Sequence, residues 1–313
     1  MTAPCVAAWE TPRAKPCAKI FRALNCLPSS LRCYMARGFI NKMLVHLHVP
    51  KTAGTTFNYV LRQAYPGKFF EGIFQPGQVL TLDEARLFIQ THQDMRAISS
   101  HALRFPCPPV AGLQYQYIAI LREPVERVVS LYFHEKRVHA ADPNHRSKKT
   151  LAEFIEIARA TRFGDSQCRH FDPNGDLNQA KRVLDQLDFV GITEQFDQSL
   201  ILARQRLGLP FTALIQPRLN KSKRGSARDY LDETAMRDLR RAFEPDLELH
   251  AYATTLLAQA RARQQRFYSF QLYSLRVAEQ IADQKYRLET LARGKAQGAR
   301  RRLTNLIQPK INS

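Results

Sequence analysis

Short apolar runs alternate with segments of helical spacing between residues 43 and 256. Strands are predicted where apolar and β-branched residues cluster, at 43–49, 96–100, 115–121 and 188–192. Helices are predicted where apolar residues recur every three or four positions, at 57–64, 82–92, 124–137, 151–160, 177–186, 196–207 and twice within 231–260. This alternation indicates an α/β fold in which helices cover both faces of a parallel sheet.

Polar segments rich in glycine, proline or charge separate these elements. We expect loops at 50–56, 105–112, 139–149 and 217–228. In parallel sheets of this kind, ligands bind beside the carboxyl ends of the strands. The segments that directly follow the predicted strands are therefore the first candidates for a functional site.

The basic character of the chain is concentrated at its two ends. The sequence holds 47 Lys and Arg against 28 Asp and Glu, a formal net charge of +19. Residues 1–42 carry seven basic side chains and one acidic one, and residues 257–313 carry twelve basic and three acidic ones. We therefore predict a basic N-terminal segment at 1–42, a nearly balanced domain at 43–256 and a basic helical C-terminal extension at 257–313.

Composition also narrows the class and the location of the protein. Prolines and charges interrupt each apolar run of 1–42, and no run reaches the ~18 residues of a membrane span, so we expect no secretory leader and no transmembrane helix. The six cysteines form no CxxC pair and no zinc-finger spacing with histidine, so we expect reduced thiols and no metal site. These features predict a soluble protein, or one that is at most peripheral to a membrane.

The C-terminal extension has the spacing of an amphipathic helix. Its apolar stripe follows intervals of three, four and seven residues through Phe267, Phe270, Val277, Ile281, Leu288 and Leu291. We expect this stripe to pack on the protein's own domain or on a partner subunit of a homo-oligomer. We expect the basic charge of the extension to form a surface for an anionic glycan or for anionic lipid.

The segment after the first predicted strand has the composition of an anion-binding loop. It contains a lysine, small residues and hydroxyls, namely Lys51, Thr52, Ala53, Gly54, Thr55 and Thr56. Successive N–H groups at a helix N-terminus bind phosphate, and the lysine adds a point charge. The order differs from GxxxxGK[ST], the loop of nucleotide kinases, which counts against ATP or GTP hydrolysis. The alternative is a polar turn before a helix that Thr55 or Thr56 caps.

A second candidate anion site lies where the strand at 115–121 gives way to a helix. Arg122 ends the strand, and a bound anion would compensate a charge that burial otherwise makes costly. Ser130 lies eight residues further on, about two helical turns away. Alternatively Glu126 and Arg127 are solvated helix charges, an interpretation that we favour for Glu126.

Both segments resemble motifs of one enzyme family. Residues 48–56, His-Val-Pro-Lys-Thr-Ala-Gly-Thr-Thr, closely resemble the 5′-phosphosulfate loop of the sulfotransferases that include heparan sulfate 2-O-sulfotransferases and related bacterial proteins. The order Arg-x-Pro-x-x-Arg-x-x-Ser-x-Tyr at 122–132 resembles the 3′-phosphate motif of the same family. The resemblance spans roughly 43–256 and implies a P-loop-like parallel sheet, 3′-phosphoadenosine 5′-phosphosulfate (PAPS) as donor, and no metal.

The resemblance also implies roles for the residues of the two motifs. Lys51 and the loop through Thr56 would bind the 5′-phosphosulfate, and Arg122 and Ser130 would bind the 3′-phosphate. The segment at 218–224 resembles the family's Asn-x-Ser loop, which closes over the nucleotide; the alternative is a solvated basic loop. Its matching residues here are Asn220 and Lys221.

Two further residues lie in a segment that resembles one facing the acceptor. These residues are Gln167 and Arg169. The resemblance implies a carbohydrate or glycolipid hydroxyl as acceptor, although small-molecule hydroxyls fit the sequence as well. Eukaryotic members of the family are Golgi proteins with a membrane anchor, and the expected absence of an anchor favours a bacterial, cytoplasmic enzyme. Its basic ends would suit peripheral contact with an anionic inner membrane.

One of the nine histidines follows a strand end between the two motifs. Family members place their catalytic base in a similar setting, so the resemblance implies that His101 deprotonates the acceptor hydroxyl. His46, His48 and His134 remain alternatives, because spacing does not separate them. The implied reaction is in-line transfer of a sulfuryl group, with Lys51 stabilising charge on the leaving phosphate.

Two other classes of function fit parts of the sequence. A P-loop phosphotransferase would prefer ATP with Mg²⁺ over PAPS. A nucleic-acid-binding protein would use the basic ends, and its affinity would depend on salt. The second class leaves Lys51, Arg122 and Ser130 without a role, so we do not favour nucleic acid as a partner.

Overall fold

The computed structural model describes residues 41–72, 74, 77–142, 148–160, 166–216, 226–263 and 268–307, with the backbone alone at 159–160, 166, 287–288 and 290–307. All but the last two positions of the predicted segment at 1–42 lie outside these residues, as does most of the predicted loop at 217–228. Within the remainder, residues Lys42–Ser313 cluster as one compact unit.

Five strands form one sheet, and the strand that comes first in the chain lies at its centre. The strands are β1 Asn41–Leu47, β2 Phe69–Gly72, β3 Ala97–Ser100, β4 Leu113–Leu121 and β5 Phe189–Ile192. Their spatial order is β2-β3-β1-β4-β5, and the sheet is parallel, with Leu47 opposite Ser100 and Ile118 opposite Phe189. This architecture confirms the predicted α/β fold with a P-loop-like parallel sheet.

Strand β2 is the one strand that the sequence pattern does not predict. Its residues, Phe-Phe-Glu-Gly, contain no β-branched side chain and show no alternation of apolar and polar positions. They become a strand because they pair in parallel with β3, where Phe70 lies opposite Ile98. Tertiary pairing, rather than local preference, therefore defines this edge of the sheet.

Helices connect the strands and follow the last one. They are α1 Gly54–Ala64, α2 Leu82–Thr91, α3 Pro124–Val138, α4 Leu151–Ala160, α5 Ser166–Phe171, α6 Leu177–Gln186, α7 Phe196–Leu207, α8 Phe211–Leu214, α9 Glu233–Ala242, α10 Glu244–Ala262 and α11 Tyr268–Ile307. Single turns of 3₁₀ helix occur at Thr193–Gln195 and Ala227–Asp229. Most helices agree with the predicted bounds to within a few residues, whereas α5 and α8 are too short to show a helical period.

Apolar side chains from the strands fill the core between the sheet and its helices. Five successive residues of β1, from Met43 to Leu47, are buried, which requires cover on both faces of the sheet. A second apolar cluster joins α3, α4 and α9 around Val125, Phe154 and Leu239. The sheet is thus packed on both faces, and α3 is packed against α4 and α9.

The C-terminal helix α11 packs on α7 through a different face from the predicted one. Leu275 is fully buried there, and the Nε2 of Gln205 on α7 donates a 2.8 Å hydrogen bond to the Oε1 of Gln271. Phe270 and Ile281, which belong to the predicted stripe, are 68% and 62% exposed. The expectation that they pack on the protein's own domain is therefore wrong, because another side of the helix faces the domain.

Two kinds of feature are absent from the described residues. No helix in this part of the chain is long and apolar enough to cross a membrane. The same residues contain no group of three or more histidine, cysteine, aspartate or glutamate side chains that could hold a metal ion. Cys107 and Cys168 are buried free thiols.

Candidate functional site

The segments that follow β1 and β4 meet at one edge of the sheet. Because β1 lies between β3 and β4, the chain builds one side of the sheet with β2 and β3 and then crosses to the other. Parallel sheets form a crevice at such a point, outside the carboxyl ends of the strands. Lys51 follows β1, Arg122 follows β4, and the Nη1 of Arg122 donates a 3.3 Å hydrogen bond to the carbonyl oxygen of Lys51. The two predicted anion-binding segments are thus neighbours.

The loop after β1 turns into helix α1 through two residues in the left-handed region. Lys51 and Ala53 have φ angles of 68° and 65°, which cost residues with a side chain about 1–2 kcal/mol each. Between them Thr52 is fully buried, and its hydroxyl donates a 2.8 Å hydrogen bond to the carbonyl oxygen of Val49. Thr52 therefore stabilises the loop with its hydroxyl and can offer a ligand only its N–H group.

The first turn of α1 has no side-chain cap. Ala53 is the N-cap residue, so the alternative in which Thr55 or Thr56 caps the helix is wrong. Within the described part of the chain, the N–H groups of Ala53, Gly54 and Thr55 donate to no other group. Three such donors at a helix N-terminus, next to Lys51, can bind a phosphate or sulfate group.

Gly54 is required at the start of α1 because the imidazole of His48 occupies the space beside it. A Cβ atom on Gly54 would overlap the Nε2 and Cδ2 atoms of the His48 ring. His48 is itself 7% exposed, so its ring has little room to move away. The glycine therefore serves ring packing inside the loop, a role that the sequence pattern does not reveal.

Three histidine rings stack where β1 and β3 end. The His46 and His48 ring centroids are 4.9 Å apart, and those of His48 and His101 are 3.9 Å apart. The Nδ1 of His101 lies 2.6 Å from the carbonyl oxygen of His48. Because a carbonyl oxygen only accepts hydrogen bonds, Nδ1 carries the proton of the neutral ring. The Nε2 of His101 then holds the basic lone pair.

The protonation of His101 follows from its surroundings. Partial burial lowers its pKa below the ordinary value for histidine, and the charges of Arg104 and Lys51 act in the same direction. The ring is therefore neutral at neutral pH. His101 lies at the surface, whereas His46 and His48 are buried, so it is the member of the stack that a ligand can reach.

Burial keeps the other histidines of this region neutral. It lowers the pKa of His46 to about 3, and it also lowers the pKa of His48 and of His170 well below the ordinary value. The Nδ1 of His46 lies 2.9 Å from the Oγ of Ser99, which holds the ring in the core. These three rings pack and orient their neighbours, and burial separates them from an acceptor in solvent.

His134, the remaining alternative base, lies on α3. It is half-buried, and its Nδ1 lies 3.4 Å from the Nη2 of Arg137. Partial burial and then the charge of Lys51 lower its pKa. The influence of Lys51 places His134 near the same crevice, so mutation has to distinguish it from His101.

Two carboxylates lie close to the guanidinium of Arg122. The Oε2 of Glu126 lies 3.7 Å from Nη2, and the Oε1 of Glu194 lies 3.9 Å from Nε. The argument that Arg122 carries an uncompensated charge is therefore wrong. The interpretation of Glu126 as a solvated charge is wrong too, because its Oε1 accepts a 2.6 Å hydrogen bond from the N–H of Ala227.

Arg127 and Ser130 share helix α3 but differ in exposure. Arg127 is 1% exposed, and its Nη2 lies 4.0 Å from the Oδ2 of the fully buried Asp246. Arg127 is thus part of a buried ion pair and not a solvated charge. Ser130 is half-buried, which leaves it accessible to a ligand.

Gln167 contacts the main chain of Arg122 with both ends of its amide. Its Oε1 accepts a 3.0 Å hydrogen bond from the Arg122 N–H, and its Nε2 donates a 2.8 Å hydrogen bond to the Arg122 carbonyl. Gln167 is fully buried. Gln167 does not face the acceptor as expected, because both ends of its amide form hydrogen bonds with the main chain of Arg122. Arg169 is half-buried, and its Nη1 donates a 3.1 Å hydrogen bond to the carbonyl of Pro173.

Two predicted site residues, Asn220 and Lys221, lie outside the described residues. Two others, Glu194 and Asp246, were not predicted from the sequence. Each of them meets its partners only across a long stretch of chain. Asp246 lies 79 positions from Gln167, and an acid in the first turn of a helix is too common to attract notice.

Comparison with known proteins relates this chain to one family. A family model described as "Sulfotransferase family" matches residues 40–253. A protein of Archaeoglobus fulgidus described as an uncharacterized protein is 24% identical over 177 residues, which cover 50% of this chain and 70% of that protein.

Two solved structures resemble the chain at low identity. Mouse sulfotransferase SULT7A1 complexed with PAP is 16% identical, with a TM-score of 0.43, over 70% of this chain and 89% of that one. A sulfotransferase from Alicyclobacillus acidocaldarius is also 16% identical, with a TM-score of 0.41, over 70% of this chain and 95% of that one.

Proposed function

Since the chain belongs to the sulfotransferase family, we propose that it transfers a sulfuryl group from PAPS to a hydroxyl group, with His101 as general base. The observation that carries this proposal is the 3.3 Å hydrogen bond from Arg122 Nη1 to the carbonyl oxygen of Lys51. It brings two donor-rich cationic segments to one edge of the sheet. PAPS carries phosphate groups at its 3′ and 5′ positions and therefore needs two such segments.

The loop after β1 suits the phosphosulfate end of the donor. Lys51 supplies a point charge, and the N–H groups from Ala53 to Thr55 are available as donors. Together with Thr56, they would stabilise the charge that develops on the bridging oxygen as the bond between sulfur and that oxygen breaks. Lys51 would supply positive charge that metal ions provide in many phosphoryl transfers.

The residues after β4 suit the 3′-phosphate. A guanidinium binds phosphate through two parallel hydrogen bonds, and Arg122 presents one at the strand end. Ser130 on α3 would add a hydroxyl. Contact with a 3′-phosphate would select PAPS over ATP, which has a free hydroxyl at that position. By the motif resemblance alone, Asn220 and Lys221 would also bind the nucleotide.

His101 has the protonation state and orientation of a general base. Its Nδ1–H donates to the carbonyl of His48, which leaves Nε2 to accept the proton of the acceptor hydroxyl. The acceptor oxygen then bonds to sulfur, the bond to the bridging oxygen breaks, and adenosine 3′,5′-bisphosphate leaves. Such catalysis consists mainly of positioning and charge stabilisation, in parallel with phosphoryl transfer.

The acceptor that we propose is a hydroxyl of a carbohydrate or glycolipid. The motif resemblance to heparan sulfate 2-O-sulfotransferases supports a glycan, and Arg169 lies on the short helix α5 beside the site. The basic ends at 1–42 and 257–313 would attract an anionic glycan or the surface of an anionic membrane. These features agree with a bacterial, cytoplasmic enzyme that works beside the inner membrane, and the exposed Phe270 and Ile281 leave a surface for a homo-oligomer.

Nucleotide binding gives the most direct test of the donor. We expect adenosine 3′,5′-bisphosphate to raise the Tm at concentrations where ADP, with or without Mg²⁺, does not. A preference for ATP or ADP with Mg²⁺ would instead support a phosphotransferase. Salt-dependent binding of DNA, without any nucleotide effect, would support a nucleic-acid-binding protein.

Transfer of labelled sulfate from PAPS to a panel of hydroxyl compounds tests the reaction itself. The panel should contain polysaccharides, glycolipids and small alcohols or phenols, so that the acceptor class is identified together with the activity. Tight binding of adenosine 3′,5′-bisphosphate without transfer to any hydroxyl compound would contradict the assignment of an O-sulfotransferase.

A further inference from the structure

Arg122 owes its position to an amide that comes from a distant part of the chain. It directly follows the last residue of β4, where the paired segment of the strand ends. At this point Gln167 takes the place of a neighbouring strand: it accepts from the Arg122 N–H at 3.0 Å and donates to the Arg122 carbonyl at 2.8 Å. The two hydrogen bonds continue the main-chain pairing of β4 by one residue beyond the sheet.

The amide is held in turn by a buried carboxylate. The Oδ2 of Asp246 on α10 accepts a 3.0 Å hydrogen bond from the N–H of Gln167, and its Oδ1 accepts a 2.8 Å hydrogen bond from the N–H of Cys168. Arg127 on α3 lies 4.0 Å away and compensates the charge. Asp246 therefore ties the first turn of α5 to both α10 and α3, which fixes the main chain at Gln167.

We propose that Gln167, held by Asp246, is a positioning residue that sets the direction of the Arg122 guanidinium toward the donor. The direction of a side chain follows from the φ and ψ angles of its own residue, and Gln167 restrains both sides of Arg122. With its main chain fixed, Arg122 reaches the carbonyl of Lys51 and links the two anion-binding segments at the edge of the crevice. This inference rests on the proposed role of Arg122 in binding the donor.

Replacement of the amide by an apolar group of similar size tests the inference. Gln167→Met leaves the N–H and carbonyl of Arg122 without their partners while it preserves most of the buried volume. We expect the Kd for adenosine 3′,5′-bisphosphate to rise about tenfold or more, and the KM for PAPS to rise with it, with little change in kcat. Calorimetry and steady-state kinetics measure these effects on the full chain.

A matched control separates positioning from general loss of stability. Gln205→Met makes the same substitution at a glutamine away from the crevice, where it removes the hydrogen bond that the amide donates from α7 to Gln271 on α11. We expect both variants to lower the Tm, and only Gln167→Met to weaken nucleotide binding. Equal nucleotide affinity in Gln167→Met and wild type, with wild type binding normally, would overturn the inference. Failure of wild type to bind adenosine 3′,5′-bisphosphate would contradict the proposed function instead.

A second substitution decides the question if Gln167→Met does not fold. Gln167→Glu keeps the oxygen that accepts from the Arg122 N–H, but the ionised carboxylate repels the Arg122 carbonyl. The protonated carboxyl can donate to that carbonyl, and burial raises its pKa. We expect the affinity of this variant, relative to wild type at each pH, to recover as the pH falls. A ratio that does not change with pH would contradict positioning through this hydrogen bond.

Discussion

The guanidinium of Arg122 donates a 3.3 Å hydrogen bond to the carbonyl oxygen of Lys51, although the two residues are 71 positions apart in the chain. This contact joins the ends of the neighbouring strands β1 and β4. The contact also helps to stabilise the loop after β1, which contains two left-handed residues. One of them is Lys51, and its carbonyl oxygen accepts this hydrogen bond from a cationic donor. The loop geometry and the second anion-binding segment are therefore interdependent.

Arg122→Lys should weaken nucleotide binding although it keeps the charge. An ammonium group cannot form two parallel hydrogen bonds with a phosphate while it also reaches the Lys51 carbonyl. Hydrogen bonds to charged groups contribute about 1.5–3 kcal/mol, so we expect the Kd for adenosine 3′,5′-bisphosphate to rise roughly 10- to 150-fold. Calorimetry measures this effect. Arg206→Lys, an exposed position on α7, should bind as wild type does; equal affinities in both variants would contradict the role of Arg122.

His101→Ala should abolish most turnover and leave nucleotide affinity nearly unchanged. Loss of a general base typically lowers the rate by about 10²- to 10⁴-fold, whereas the proposed nucleotide contacts lie on other residues. Sulfate transfer and calorimetry on the same preparation measure the two effects. His134→Ala is the matched control, since it removes the competing histidine near Lys51. If His134→Ala loses the activity and His101→Ala retains it, the base is His134.

The dependence of kcat/KM on pH should show an acidic limb that belongs to His101. Because burial lowers the pKa of His101, the ring stays neutral until the pH falls below the ordinary value of 6.5. Activity should therefore persist through neutral pH and decline only as the pH falls below about 6.5, where protonation blocks Nε2. Initial rates across the acidic range test this. An activity that rises as His101 becomes protonated would contradict a role as base.

Gly54→Ala should destabilise the fold through His48 rather than through the loop backbone. The new Cβ atom would overlap the His48 ring, which is buried against His46 and His101. Overpacking of this kind costs about 1–3 kcal/mol in the free energy of unfolding. Urea unfolding measures the loss. Thr55→Ala, at the exposed next position, should change stability far less, and equal effects in the two variants would refute the packing role.

Buried neutral histidines should make the folded protein sensitive to acid. The pKa of His46 is about 3 in the fold and 6.5 in a model peptide. Between these values the unfolded chain binds a proton that the folded chain does not. The free energy of unfolding therefore falls with pH below 6.5, by about 1.4 kcal/mol per pH unit for each such residue, and His46 contributes no pH dependence above that range.

Urea unfolding from about pH 7.5 to about pH 5 measures this slope directly. His46→Asn removes one titrating group and should flatten the slope, whatever it does to stability at neutral pH. His139→Asn, at an exposed position after α3, is the matched substitution of a histidine outside the core. Identical slopes in wild type and His46→Asn would contradict the neutral state of the buried ring.

Local patterns predict most strands and helices of this fold, but they do not predict the edge strand β2 or the face through which α11 packs. The apolar runs of β1 and β4 are long enough to indicate buried strands, and Pro124 and the spacing that follows indicate α3. Strand β2 escapes prediction because it depends on its pairing with β3. Phe270 and Ile281 of the predicted stripe are exposed and α11 packs through Leu275, because a period identifies an apolar face without saying what covers it.

The candidate site also has residues that the sequence predicts and residue roles that it does not. The local pattern predicts Lys51 and Arg122 as anion-binding residues, and the structure brings these two into contact, whereas His101 as the base is implied by the family resemblance alone. Spacing did not reveal that Gln167 supports Arg122, nor that Thr52 uses its hydroxyl inside the loop. Each of these roles depends on which polar atom finds which partner, and a residue type alone does not determine that.

The sequence by itself determines the alternation of strands and helices, the concentration of charge at the ends and the family motifs, because all three are properties of neighbouring residues. Only the tertiary structure decides that Asp246 holds Gln167, that Gln167 holds Arg122 and that Arg122 meets Lys51. These partners lie between 45 and 79 positions apart in the chain. Burial also decides that His46 and His48 stay neutral in the core while His101, the third ring of their stack, faces solvent, since desolvation exists only once the chain has folded.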